Sequence, residues 1–357
     1  MAQTQQGDRT PVAILGASGY TGAESIRLLA RHPRVRLTTL TADRKAGGTL
    51  GQVFPHLAGL DLAPLVSLEG IDWKALDAAV VFCGLPHGTT QQVVSAALAA
   101  RPDLVIVDLS ADFRLTDLES YREWYGEAHH APHLQTEAVY GLTEQAREAV
   151  AGARLIANPG CYPTTAQLPL MPLIAAGLID PDEIVIDAKS GVSGAGRAAK
   201  EQNLYTEVSE AIHAYGVGRH RHMPEIEQGL SQAAGRPVLV SFTPHLVPMN
   251  RGILSTIYVK MAPGTGVDDL RSHLATRYAG EPFVRVLPAG AEPGTRHVRG
   301  SNHCLISVAP DRRPGRAIVL CVIDNLVKGA AGQAVQNMNV RMGWQETLGL
   351  EQEALFP

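Results

Sequence analysis

The sequence predicts an α/β fold: a Rossmann-type parallel-sheet domain followed by an α+β catalytic domain with a mixed or antiparallel sheet. Three observations predict it. Short apolar runs alternate with helical patterns through the first half of the chain, a rhythm that places a parallel sheet between helices on both faces. A glycine-rich turn follows the first run directly and opens a helix. Beyond about Pro159 the runs lengthen and turn residues join them, as in sheets with antiparallel pairs.

The elements follow in order. Val12–Leu15 reads as a strand, Glu24–Ala30 as a helix and Val35–Leu40 as a second strand. Ala78–Phe82 and Leu104–Leu109 are further strands with a helix, Thr89–Ala100, between them, and Arg154–Ala157 is another. A long apolar helix is predicted over Tyr162–Ala176. Strands are then predicted at Glu183–Ala188, Pro237–Thr243, Ile253–Met261, His303–Ala309 and Ala317–Ile323, the last two joined by a turn at Asp311–Gly315. Leu326–Gly343 reads as a closing helix.

Composition bounds the function. The chain has 357 residues, enough for two domains at a prior of about 150 residues each. Charged residues make up 18%, the net charge is −4, and lysine and arginine are scattered, which argues against a nucleic-acid footprint. No apolar stretch reaches the ~18 residues of a membrane span, and Met1–Thr10 reads as a polar, frayed tail without an apolar leader. The four cysteines form no C-x-x-C pair, so no metal is expected, and a reducing cytoplasm is the natural location.

The glycine turn is Gly16-Ala17-Ser18-Gly19-Tyr20-Thr21-Gly22. Its G-x-x-G-x-x-G spacing between strand and helix suits a dinucleotide pyrophosphate seated on the helix N-terminus. Gly16, Ser18, Gly19, Tyr20, Thr21 and Gly22 are therefore candidate cofactor contacts. The second strand ends in Thr41-Ala42-Asp43-Arg44-Lys45. Arg44 and Lys45 suit the 2′-phosphate of NADP(H), whereas Asp43 is the competing signal for NAD. Cys83 and Pro86, after the third strand, are candidates to line the cofactor cleft.

Asn158-Pro159-Gly160-Cys161-Tyr162-Pro163-Thr164 precedes the long apolar helix. Proline is tolerated in a first helical turn, so Cys161 stands at or beside the helix N-terminus. Unpaired N–H groups and the helix dipole there stabilise a thiolate and can stabilise an oxyanion. A free cysteine is more often a small buried hydrophobe, which is the reading for Cys304 and Cys321. A thiolate nucleophile benefits from a base, and His220-Arg221-His222-Met223-Pro224-Glu225 offers two. If Pro224 begins a helix, His220 and His222 lie in an extended lead-in and point the same way, with Glu225 orienting one of them.

Two further segments suit anion binding. Asp108–Arg114 offers Ser110 and a guanidinium, Arg114, able to grip a phosphate or carboxylate. Ser190–Arg197 offers free N–H groups with Ser190, Gly191, Ser193, Gly194 and Arg197. Ser190, Gly191 and Gly194 are read as cofactor contacts, and Ser110, Arg114, Asn158, Ser193 and Arg197 as substrate contacts. The bland reading of both segments is turn chemistry with surface arginines.

Together these motifs resemble the N-acetyl-gamma-glutamyl-phosphate reductases of arginine biosynthesis. The resemblance runs from about Val12 to the closing helix. It is carried by GASGYTG at 16–22, FCGLPHG at 82–88, DLSADFRL at 108–115, NPGCYPT at 158–164, SGVSGAGR at 190–197, HRHMPEI at 220–226 and DNLVKGAAGQAVQNMN at 324–339. It implies an NADP-binding Rossmann domain over 10–158, a catalytic and oligomerisation domain over 159–325, and a C-terminal helix, within 326–357, returning to the first. It implies NADPH as reductant, Cys161 as nucleophile, and a histidine base at His220 with His222 as second choice. It also implies Asn325 close to the nicotinamide, and a homodimer or homotetramer.

The expected reaction is reduction of an acyl phosphate through a cysteine thioester. Two rivals are a related reductase of lysine pathways, acting on an aminoadipyl or carrier-linked acyl phosphate, and a non-catalytic NADP-binding sensor. The cysteine, histidine and arginine constellation argues against a sensor, which needs only the glycine loop.

Overall fold

Residues 9–357 are described by a computed structural model of the chain. Most of the tail expected over Met1–Thr10 lies outside the described residues, and Thr10 itself opens the first strand. The chain divides into two units: 1–159 with 330–351, and 160–329 with 352–357.

The first unit carries β1 (Thr10–Leu15), α1 (Tyr20–Leu29), β2 (Val35–Leu40), α2 (Leu50–Val53), β3 (Val80–Cys83), α3 (Thr90–Ala100) and β4 (Val105–Asp108). Then come α4 (Leu118–Tyr125), α5 (Pro132–Gln135), β5 (Val139–Tyr140), α6 (Thr143–Gly152) and β6 (Leu155–Ala157). The six strands form one parallel sheet in the order β2-β1-β3-β4-β6-β5. Val12 to Leu15 are all buried, because a parallel strand is covered on both faces and reads as a continuous apolar run. The chain leaves β1 toward β2 and returns to β3 on the other side. That reversal opens a crevice at the carboxyl ends of β1 and β3, where such sheets bind ligands.

The second unit carries α7 (Cys161–Ala175), β7 (Ile179–Gly191), α8 (Tyr205–Val208), β8 (His213–Ala214), α9 (Met223–Ala234), β9 (Ser241–Val247) and β10 (Ile253–Met261). It continues with α10 (Val267–Arg277), β11 (Val284–Val286), β12 (Cys304–Pro310) and β13 (Arg316–Ile323). Its sheet is mixed, ordered β11-β12-β13-β10-β7-β9-β8, with β7–β9 and β11–β12 parallel and the other pairs antiparallel. α7 packs on β7, β10 and β13 with α9 and α10 beside it. Its residues from Tyr162 to Leu170 are all buried, as expected of a helix apolar on every side. Pro172 lies inside it and has no N–H for the Leu168 carbonyl. The Tyr278 hydroxyl supplies the missing donor at 2.6 Å.

The helix expected at Glu24–Ala30 starts earlier, at Tyr20, the strand expected at Glu183–Ala188 extends over Ile179–Gly191, and two further elements change position or character. The strand placed at Pro237–Thr243 begins instead at Ser241 and runs to Val247. The N–H of Val238 donates to Ser231 Oγ and that of Val240 to Glu227 Oε1, so both turn to side chains of α9 rather than to a ladder. The helix placed over Leu326–Gly343 starts as a π turn, Val327–Ala331, and becomes α11 (Gly332–Arg341) only after it.

From 330 the chain groups with the first unit. Buried Asn337 donates to Gly141 O and Asn158 Oδ1 and accepts from Thr143 Oγ1. Buried Asn339 accepts from His32 Nε2 at its amide oxygen at 3.0 Å and donates from its amide nitrogen to the carbonyls of Glu346 and Leu348. The last residues, 352–357, group with the second unit, where the Leu355 N–H donates to Arg299 O.

Candidate active site

Two groups of residues emerge, one in each unit. In the first, Gly16 takes φ +81°, and a Cβ there would stand 2.4 Å from Gly84 O, so only glycine fits this turn. Its N–H donates to Thr41 Oγ1 at 3.1 Å. Gly19 caps α1 with extended backbone and no side-chain cap, which leaves the first-turn amides for an anion. Ser18, Gly19 and Thr21 are half-buried, Gly22 is buried and Tyr20 is exposed. The loop therefore fits a dinucleotide pyrophosphate by its own geometry. Arg44 and Lys45 are exposed just past β2, as is Asp43.

The loops after β3 and β4 are locked together. Gly88 N–H donates to both carboxylate oxygens of buried Asp112, at 2.8 and 3.0 Å, and Tyr121 OH donates to the same carboxylate. Asp108 accepts from the Ser110 amide and hydroxyl. Burial, then the neighbouring charge of Asp112, pushes its carboxyl up to about 7. Pro86 is exposed in this loop. Cys83 is fully buried, and burial raises its thiol well above the usual range.

Arg114, expected to grip a ligand, is 5% exposed. It donates from Nε to Asn158 O and from an Nη to Leu109 O, so these contacts tie it to backbone carbonyls. Ser110 is buried and bound to Asp108 and to the Asp112 amide. Asn158 is buried, with its side chain on Ala330 O and Asn337.

In the second unit, Cys161 is the first residue of α7, with Gly160 as its extended N-cap and no side-chain cap. Its thiol is half-buried. The helix dipole at this first position favours negative charge on that sulfur. Glu225, expected beside a histidine, is fully buried and accepts the Gly160 N–H at 2.7 Å. This bond holds the backbone immediately before the cysteine.

His220 and His222 do lie together, their ring centroids 5.0 Å apart, but not for the reason expected. The segment is a turn, not an extended run: Met223 N–H donates to His220 O, and His222 has helical backbone angles. His222 N–H donates to His220 Nδ1 at 3.1 Å. With Nδ1 accepting, a neutral His220 carries its proton on Nε2. Burial, then the charge of Arg221, lowers its pKa to about 4, so the ring is neutral at pH 7. Tyr162, Tyr215 and Phe242 surround it edge-on at 5.3–5.5 Å.

The Tyr162 and Tyr215 hydroxyls pair at 2.9 Å, and burial pushes both phenols up. The sequence reading missed this pair, although Tyr162 adjoins the cysteine. Tyr215 sits in a glycine-rich turn with no pattern of its own.

The loop Ser190–Arg197 offers fewer free amides than expected. The N–H groups of Gly191, Val192 and Ser193 donate to the carbonyls of Gly252, Met249 and Asn250. Asn325 holds it from beneath, donating to Ser193 Oγ at 2.9 Å and accepting from Gly252 N–H at 2.7 Å. Ser190 is buried, whereas Gly194 and Arg197 are exposed.

Comparison with known proteins gives first the class. Residues 11–153 match the family model described as semialdehyde dehydrogenase, NAD binding domain, and residues 161–325 the one described as semialdehyde dehydrogenase, dimerisation domain. Aspartate semialdehyde dehydrogenase II from Vibrio cholerae has the same fold, with a TM-score of 0.72 at 18% identity over 94% of this chain and 99% of that one. The Candida albicans aspartate semialdehyde dehydrogenase with NADP gives 0.66 at 18%, over 93% and 98%. The chain is thus an oxidoreductase of the semialdehyde dehydrogenase class with a nicotinamide cofactor.

Full-length relatives narrow this further. N-acetyl-gamma-glutamyl-phosphate reductase of Rhodospirillum rubrum is 65% identical, over 98% of this chain and 99% of the relative. That of Afipia carboxidovorans is 60% identical over 98% and 99%. A probable chloroplastic one from Arabidopsis thaliana is 60% identical over 97% and 85%. The chain belongs to the N-acetyl-gamma-glutamyl-phosphate reductase family. Among the described residues no helix is long and apolar enough to cross a membrane.

Proposed function

We propose that this chain reduces N-acetyl-gamma-glutamyl phosphate to N-acetyl-glutamate semialdehyde and phosphate, with NADPH as reductant, in the cytoplasm. The observation that carries the reading is Cys161 at the first position of α7, its N-cap held by Glu225, in a chain 65% identical to a reductase of that name.

Cys161 Sγ bonds to the acyl carbon while the acyl carbon–phosphate oxygen bond breaks, and phosphate leaves with the electron pair. NADPH, when bound, would supply the hydride that reduces the thioester carbon. The carbonyl then re-forms as the carbon–sulfur bond breaks, releasing the aldehyde and returning the thiolate. The one proton consumed overall ends on phosphate. The α7 amides steady the negative charge on sulfur and on the acyl oxygen. His220 donates from Nε2 to that oxygen, and His222 is its partner in proton exchange with the leaving phosphate. Splitting the reduction at a thioester replaces one hard step with two easier ones.

Within the first unit, Gly16, Ser18, Gly19, Tyr20, Thr21 and Gly22 hold the pyrophosphate, and Arg44 and Lys45 the 2′-phosphate. Ser193 and Arg197 face the substrate.

A homo-oligomer formed through the second unit accompanies this reading. The sheet face opposite α7 carries Val185, Tyr258 and Ile318 in one row, and Lys189, Leu254, Val322 and Leu305 in another. Several of these are half-exposed apolar residues, a surface suited to a second copy.

The test is the reverse reaction: N-acetyl-glutamate semialdehyde, phosphate and NADP, followed by NADPH formation. Phosphate-dependent NADPH formation that is abolished by Cys161→Ser is expected. Turnover without phosphate, or near-full turnover by C161S, would sink the scheme.

A further inference from the structure

Gly329 lies in the π turn that follows β13. A Cβ built on it would stand 2.8 Å from Cys161 Cβ, 3.3 Å from Cys161 Cα and 3.1 Å from Ile323 Cδ1. Carbon atoms meet at about 3.5–4.0 Å, so any side chain at 329 must displace something. Here the neighbours are the backbone and first side-chain carbon of the cysteine and a fully buried isoleucine, not the loose end of a long side chain. The bare backbone of Gly329 therefore forms a wall behind Cys161.

That wall is anchored. Buried Asp324 accepts the N–H groups of Leu326 and Gly300 at 2.9 and 2.7 Å, and that of Val327 at 3.3 Å. The Arg251 guanidinium stands 3.5 Å from the same carboxylate. The N–H of Gly329 donates to Asp324 O at 3.0 Å. A π turn is a costly departure from the α-helix and persists where the chain needs its geometry. Here the turn carries backbone against the thiol-bearing residue. With Glu225 gripping Gly160, Cys161 is constrained from its preceding peptide and from behind its Cβ.

We propose that Gly329 is a positioning residue for the nucleophile: it sets the direction in which Cys161 Sγ leaves the start of α7. The proposal rests on the reading of Cys161 as nucleophile. Sulfur attacks an acyl carbon along a narrow path, and a misplacement of about 1 Å costs on the order of a hundredfold in rate. A methyl group at 329 pushes Cys161 away from the α7 amides, so the thiolate is less stabilised and the thiol titrates at higher pH.

The test compares the parent protein with Gly329→Ala and, as a control, Gly280→Ala, whose Cβ would meet nothing within 4 Å. Three quantities are read: the pH profile of iodoacetamide labelling of Cys161, kcat against KM in the reverse assay, and the thermal midpoint. For G329A the labelling profile moves to higher pH and kcat falls by about a hundredfold, with KM for NADP within about twofold, while G280A matches the parent. A folded G329A with the parent's labelling profile, with or without a loss of kcat, overturns the proposal.

If G329A is insoluble, Cys161→Gly combined with G329A decides. Removing the Cβ that the new methyl group would meet restores folding, and a double variant as insoluble as the single overturns the proposal. C161S that kept turnover would instead strike the underlying reading of the nucleophile.

Discussion

Glu225 Oε1 accepts the amide proton of Gly160 at 2.7 Å, with both residues buried. A carboxylate sixty-five residues away along the chain thus fixes the peptide that leads into Cys161. Glu225→Ala leaves that N–H without this acceptor, and kcat is expected to fall by on the order of tenfold to a hundredfold, with KM for NADP little changed. Glu225→Gln keeps an oxygen at the same place and is expected to recover most of the rate. Equal losses in both variants would show that charge, not the hydrogen bond, matters here.

His220 gives a pH signature in stability. Its folded pKa is depressed to about 4, first by burial and then by Arg221, against 6.5 when unfolded. The unfolded chain therefore takes up the proton first as pH falls, and the folded state loses stability from about pH 6.5 down toward pH 4. On this group alone the loss between pH 7 and pH 4.5 is about 2 kcal/mol. Urea unfolding of the parent and of His220→Gln at the two pH values measures it. The variant should show a shallower dependence by that amount, and an unchanged slope would refute a buried neutral ring.

Tyr278 donates to Leu168 O, the carbonyl that Pro172 leaves without its helical partner. Both residues are buried. Tyr278→Phe keeps the ring and deletes the donor, so the carbonyl is stranded, and a loss of about 1–2 kcal/mol in unfolding free energy is expected. Restoring an N–H with Pro172→Ala in the same background should return part of it. A Y278F protein as stable as its parent would mean that α7 meets this demand elsewhere.

Arg44 and Lys45 stand exposed just beyond β2, next to Asp43. If they hold the 2′-phosphate, the double variant R44A/K45A raises KM for NADPH by tenfold or more, on the order of a charge-assisted phosphate contact, and leaves NADH nearly unaffected. Steady-state kinetics with both nucleotides measures the ratio. Equal effects on the two would remove these residues from the recognition of NADP.

Much of this architecture is legible along the chain, and the exceptions share a cause. β2 and β10 fall where their apolar runs end, because a strand's burial is written residue by residue. The glycine turn and the helix start at Cys161 are equally local. What local pattern does not carry is the partner of a buried polar group. Glu225 and Arg114 read as site residues by type, and only the fold shows their bonds to Gly160, Asn158 and Leu109. The amides of Val238 and Val240 turn to α9 side chains, which moves the start of an expected strand from Pro237 to Ser241. The His220–His222 pair is brought together by a turn rather than by two-residue spacing. The π turn has no signature at all, since one extra residue in a helical turn leaves composition unchanged.

The buried amide of Asn337 has a consequence for the order of assembly. It closes bonds to Gly141 and Asn158 across 196 and 179 residues of sequence. A domain emerging first from the ribosome normally folds first. Here the parallel sheet emerges first but lacks its last helix until the whole intervening segment 160–329 has been synthesised. A chain ending at 329 lacks these bonds, so its first unit is expected to keep the Asn337 side of its core open and to aggregate more readily than the full chain, which light scattering of the two measures.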